Sequence, residues 1–118
     1  MTQTKNTNMR IMMGKRGGRD VLQVETSALP EPRSGEVLIK VKASGVSMAD
    51  VLIRSGTYLL PTRLPLVPGY DVVGEVVSQG PHTGTALPPG SLVAAYLGLG
   101  GYANYICLPA KSLIPIPA

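Results

Sequence analysis

Phenylalanine and tryptophan are both absent from the 118 residues, and cysteine and histidine occur once each. A core without the two largest apolar side chains has to be filled by Val, Leu, Ile, Ala, Met and the five tyrosines. The lone Cys107 excludes an internal disulfide, and too few sulfur and imidazole groups remain for a closed structural zinc site. No apolar run approaches the roughly 18 to 20 residues of a membrane span. The polar opening from Met1 to Asn8 lacks the apolar centre of a secretory signal, so the expected location is cytoplasmic, with no membrane partner. A basic stripe is missing as well. Five of the 11 bases precede Asp20, the first acid, and the rest of the chain is close to neutral. The net charge of +4 therefore sits at one end and gives no reason to expect a nucleic-acid partner.

What the chain has in quantity is 14 glycines and 11 prolines, which suit short strands joined by tight turns and exclude a helical bundle. One domain with one core fits this length. Residues 1–9 read as a polar, disordered tail, and 10–118 as the domain. Arg10–Gly14 and Asp20–Ser27 form a strand pair around the turn Lys15-Arg16-Gly17-Gly18-Arg19. The three bases of that turn would suit a phosphate, but a solvated hairpin tip is the simpler reading. Leu29–Gly35 is a loop, because its prolines cannot ladder. Glu36–Ser44 alternates cleanly, with Val37, Ile39, Val41 and Ala43 on one face and Lys40, Lys42 and Ser44 on the other.

Two stretches carry more than fold. Ser47-x-x-Asp50 has the spacing of a capping box, in which hydroxyl and carboxylate satisfy each other's backbone N–H groups. It predicts one short helix over 48–54, stopped at Gly56. Val67-Pro-Gly-Tyr-Asp-Val-Val-Gly-Glu-Val-Val-Ser-Gln-Gly80 is a turn followed by a valine-rich strand. Gly74 inside that strand marks a bulge or a close backbone approach. A turn-rich loop over 80–90 carries His82, read as a solvated loop histidine. Ser91–Leu97 and Tyr102–Leu108 are the last two strands, for an all-β barrel or sandwich of six or seven short strands.

Four segments, in order, resemble the medium-chain dehydrogenase/reductase family in its GroES-like catalytic domain. They are Pro32-Arg-Ser-Gly-Glu-Val-Leu-Ile-Lys-Val41, Asp50-Val-Leu-Ile-Arg-Ser-Gly-Thr-Tyr58, Pro68-Gly-Tyr-Asp71 and Gly101-Tyr-Ala-Asn-Tyr105. The resemblance implies a mainly β, partly open GroES-like barrel with one short helix. Ser47, Tyr70 and Asp71 stand where zinc-dependent members carry a cysteine and a His-Glu pair. The chain is therefore more similar to the zinc-independent quinone oxidoreductase branch, and no metal site is expected. From that branch Tyr58 and Asp50 are the candidate catalytic residues, and Ser47 the candidate contact to the nicotinamide ribose. Each has a plainer reading: Ser47 and Asp50 as a helix cap, Tyr58 as packing, Tyr70 as core. Cys107 reads as a small buried hydrophobe.

No Gly-x-Gly-x-x-Gly follows a strand anywhere, so a dinucleotide domain is absent from this chain. The resemblance places such a domain shortly after Ser112–Ala118. It implies the substrate-side domain of an NADPH-dependent reductase, with NADH possible. The substrate would be a quinone, an enone or a related activated carbonyl compound, and the full-length protein a homodimer. This chain alone is expected to be inactive and to hold no cofactor. The alternative is a non-catalytic GroES-like binding module or a co-chaperonin-like protein.

Overall fold

Seven strands and one α-helix make up the computed structural model, which describes residues 7–58, 62–84 and 87–117. The strands are β1 (Thr7–Met13), β2 (Leu22–Ala28), β3 (Glu36–Ser44), β4 (Asp71–Gln79), β5 (Leu92–Tyr96), β6 (Tyr105–Pro109) and β7 (Ile114–Pro115). The helix, α1, spans Met48–Ser55. Strands β1 and β2 form an antiparallel pair, and the other five form one sheet in the order β6-β3-β4-β5-β7. The two sheets do not close on each other, which is the partly open, mainly β architecture expected.

Strand β4 shows why the alternating valines matter. Val72 and Val76 are buried while Val73 and Val77 face outward. With Val37, Ile39, Val93, Ala95 and Leu108 they form the core of the five-stranded sheet. The register of β3 against β4 shifts between Leu38 and Ile39 and again between Val41 and Ala43. These irregularities break the expected alternation of β3: Leu38 is buried beside Val37 and Ile39, and Ala43 is exposed. Gly74 pairs with Val41 beside the second shift. A Cβ there would lie 2.5 Å from the Lys40 carbonyl oxygen, so the close approach read from the sequence is present.

A second, smaller cluster lies under α1, where Met13, Val21, Ile53 and Leu66 are buried together. Each such side chain contributes about 1.5 to 3 kcal/mol by leaving water. The β1–β2 pair is laced to the rest by backbone bonds from Ile11 N–H to the Tyr102 carbonyl and from Met13 N–H to the Leu66 carbonyl, both 2.9 Å.

Three sequence boundaries move. Strand β1 begins at Thr7, so Thr7–Met9, read as tail, are paired with β2; residues 1–6 lie outside the described ones. Asn8 explains the difference. Its side-chain amide donates to the Tyr105 carbonyl (3.0 Å) and accepts from the Tyr105 N–H (2.9 Å), imitating a strand neighbour. Second, β2 starts at Leu22, because Arg19–Val21 coil into a short 3-10 turn. Third, the proline-rich end supplies a two-residue strand, β7, paired with β5. His82 is exposed with φ 60°, as befits a loop tip.

Candidate functional site

Helix α1 sets the first part of the site. Ser47 is its N-cap in extended backbone, and the Asp50 carboxylate accepts from the Ser47 N–H at 3.0 Å. The Asp50 N–H in turn donates to the Ser47 carbonyl at 3.1 Å, and the Ser47 hydroxyl stands 3.5 Å from Asp50 Oδ2. The capping pair read from the sequence is in place, with the carboxylate making its stronger half. At the other end Gly56, φ 86°, takes the left-handed conformation that ends the helix, its N–H donating to Leu52 and Ile53.

Asp50 does more than cap. It is 5 % exposed. Its Oδ1 accepts from the Gly69 N–H at 3.1 Å, and Oδ2 from the Tyr102 hydroxyl at 3.0 Å. One carboxylate thus joins the start of α1, the Pro68-Gly69 turn and the segment leading to β6. Tyr102 is held protonated, its pKa pushed up to about 12, first by burial, then by the bond to Asp50 and the negative charges of Asp50 and Asp71.

Tyr58 lies beyond the far end of α1, packed against the Met13 cluster. Its hydroxyl is hydrogen-bonded to that of Tyr70, whose ring meets Tyr96 edge-on at a centroid distance of 5.1 Å. The Tyr70 phenol is pushed well above the ordinary tyrosine range, first by the hydrogen bond with Tyr58, then by burial and the neighbouring Tyr96 phenol. Tyr96 is 72 % exposed, so this row of phenols opens to solvent.

The three candidate residues do not converge on one point. Ser47 and Asp50 meet at one end of α1, and Tyr58 sits past the other. What connects them is Gly69-Tyr70-Asp71. Gly69 bonds Asp50, Tyr70 bonds Tyr58, and the Asp71 carboxylate accepts from the Gly45 N–H at 3.1 Å. Sequence reasoning assigns no role to Tyr96 or Tyr102. The repeated tyrosines of Gly101-Tyr-Ala-Asn-Tyr105 were the signal available for Tyr102. Nothing marked Tyr96, because its place depends on how β5 pairs with β4. A groove of about 210 Å³ borders Asp50, with Val46, Val51, Arg54, Pro68 and Tyr102 on its walls. A larger pocket, about 380 Å³, lies between the β1–β2 pair and β3, away from every candidate residue. Cys107 is half-buried and its thiol is pushed up to about 11, first by burial and then by the charge of Glu36, so it is no ready nucleophile.

Residues 33–118 match the alcohol dehydrogenase GroES-like domain. The chain belongs to that family. This GroES-like domain is 38 % identical over 103 residues to quinone oxidoreductase from Mus musculus, covering 86 % of the chain and 31 % of the relative. Among solved structures, the human synaptic vesicle membrane protein VAT-1 homolog-like protein superposes with a TM-score of 0.87 at 31 % identity. That match covers 94 % of this chain and 36 % of the other. Escherichia coli quinone oxidoreductase complexed with NADPH superposes with a TM-score of 0.83 at 30 % identity, over 92 % and 33 % of the two chains. The chain thus spans about a third of the length of these relatives. The family is that of the medium-chain dehydrogenases and reductases. None of the helices among the described residues is long and apolar enough to cross a membrane.

Proposed function

We propose that this domain is the substrate-side wall of an NADPH-dependent reductase acting on a quinone, an enone or a related activated carbonyl compound, without zinc. The observation that carries the reading is the row Tyr58, Tyr70, Tyr96. Tyr70 meets Tyr96 ring to edge, and one hydrogen bond joins the Tyr58 and Tyr70 phenols, using one of their two O–H groups and leaving one over. With Tyr70 donating to Tyr58, the spare O–H is that of Tyr58, free to donate to a carbonyl oxygen on the substrate. The raised Tyr70 pKa keeps that phenol protonated at neutral pH, as a donor to Tyr58.

The cofactor supplies the hydride. Its pyrophosphate does not fit the described residues. The start of α1, the natural place for an anion, has its Ser47 N–H taken by the Asp50 carboxylate. Holding the dinucleotide falls to a separate domain of the same protein. Ser47 remains the group this chain offers toward the nicotinamide ribose, and Asp50 acts by fixing Ser47 in place. Zinc independence is supported by the chemistry of the donors. Ser47 offers a hydroxyl, Tyr70 a phenol that holds its proton, and the Asp71 carboxylate is engaged by Gly45, where thiolate and imidazole would serve a zinc ion better.

The test has two parts. NADPH titrated into the 118-residue chain alone should show no binding below millimolar concentration. In the chain joined to a matching dinucleotide domain, Tyr58→Phe should lower kcat about tenfold or more and leave NADPH affinity unchanged. Unchanged turnover would remove Tyr58 from the reaction and leave the non-catalytic module as the better reading.

A further inference from the structure

The turn Lys15-Arg16-Gly17-Gly18-Arg19 reads as a solvated tip, yet Arg16 reaches inward. Its Nη1 donates to the Ile53 carbonyl at 2.7 Å. Its Nη2 donates to the Thr62 carbonyl at 2.9 Å and to the Thr62 hydroxyl at 2.8 Å. Ile53 precedes Tyr58 in the chain and Thr62 follows it. The side chain also lies against the helix end, where a Cβ on Gly56 would come within 2.9 Å of Arg16 Cδ. Next to it Gly17 and Arg54 exchange two bonds of 2.9 Å, Gly17 N–H to the Arg54 carbonyl and Arg54 Nη1 to the Gly17 carbonyl.

We propose that Arg16 is the positioning residue for Tyr58: one guanidinium, bonded to the chain on both sides of the phenol, sets where that ring meets Tyr70. A planar guanidinium carries its donors in a fixed fork, so Ile53 and Thr62 are held at a set separation. A lysine ammonium presents a single point of charge and cannot hold both in that geometry. The Met13 cluster beneath Tyr58 gives the ring a surface to rest on, but apolar contact is not directional and leaves the hydroxyl free to swing. The inference rests on the reading of Tyr58 as the substrate-side phenol. The experiment below reads the ring's position, so a failure of that reading in kinetics would leave its outcome untouched.

The test is nuclear Overhauser contact among specifically labelled tyrosine rings in the 118-residue chain. Arg16→Ala should lose the Tyr58–Tyr70 cross-peaks and keep those between Tyr70 and Tyr96. Arg54→Ala removes a side-chain bond from the same turn without touching Thr62, and should keep both sets. Arg16→Lys retains the charge and should still weaken the Tyr58–Tyr70 cross-peaks by more than half, which separates the fork from the charge. Persistence of the Tyr58–Tyr70 cross-peaks in Arg16→Ala would overturn the proposal, as would their equal loss in Arg54→Ala. Should Arg16→Ala fail to fold, Arg16→Lys decides, and full retention there rejects the assignment.

Discussion

Asp50 and Tyr102, 52 positions apart in the chain, meet through a 3.0 Å hydrogen bond in which the phenol donates to Oδ2. The same carboxylate holds the Gly69 and Ser47 N–H groups. A residue that looks catalytic by resemblance is, in its contacts, the brace between α1, the turn before β4 and the segment before β6.

Removing that brace strands three donors in a poorly hydrated place. Asp50→Ala should lower stability by about 3 kcal/mol, since each buried group left unpaired costs about 1 to 3 kcal/mol. Tyr102→Phe, which removes one donor, should cost about 1 to 2 kcal/mol. Urea denaturation distinguishes them. Equal losses in the two variants would mean that the Ser47 and Gly69 bonds carry no weight.

At the cap, Ser47→Ala should cost about 0.5 to 1 kcal/mol, toward the low end for an N-cap because Asp50 keeps its own bond to the Ser47 N–H. Ser47→Asn should be nearly neutral. Ser47→Asp, acceptable from the sequence pattern alone, should be worse than Asn, because its carboxylate would face Oδ2 of Asp50, 3.5 Å from the present hydroxyl. Thermal unfolding at low salt is the measurement, and Asp matching Asn would show that the two carboxylates avoid each other.

Gly69 has φ 116°, and a Cβ on it would fall 2.6 Å from the Gly101 Cα and the Tyr102 nitrogen. Gly69→Ala combines a disfavoured backbone with a collision against main chain, and should cost about 3 kcal/mol or more. Gly14→Ala, where nothing lies within 4 Å, should change stability by less than about 0.5 kcal/mol. Comparable effects from the two substitutions would contradict the packing of the turn before β4 against the turn before β6.

Alkaline pH should weaken the fold. The Cys107 thiol at about 11 and the Tyr102 phenol at about 12 both lie above their ordinary values of roughly 8.5 and 10. A group with a raised folded pKa contributes stability that is complete below its unfolded pKa and is lost as pH rises through the folded one. The denaturation midpoint should therefore hold steady to about pH 8 and fall between roughly pH 8.5 and 12. Cys107→Ser should remove the earlier part of that fall. At pH 8 the wild-type thiol should alkylate about two orders of magnitude more slowly than a free cysteine.

Most of the strand plan was legible because β4 carries its burial in alternation. Strand β3 is apolar and β-branched enough to be read as a strand even though its bulges disturb the alternation, and glycine and proline mark the turns. The cap at Ser47 and the stop at Gly56 were legible for the same local reason: each acts within a few residues. What stayed hidden depends on distance in the chain. Arg16 looks solvated until Ile53 and Thr62 arrive beside it, and Asp50 looks like a cap until Gly69 and Tyr102 reach its other oxygen and its remaining lone pairs. Strand β7 was missed because prolines normally argue against pairing, and here the pairing is two residues long at a sheet edge.

The Asn8 side chain has a consequence for how the domain meets other molecules. Strand β6 is the outer strand of its sheet, and an open strand edge is a template on which a second chain can add itself. Asn8 fills both backbone positions of Tyr105 on that edge, so a stray strand finds them taken. A version trimmed to begin at Arg10, the boundary that hydrophobic patterning favours, would lose this guard while keeping nearly all of the core. Its failing would be self-association at high concentration, visible as a rising sedimentation coefficient, in a molecule whose dilute unfolding curve looks sound.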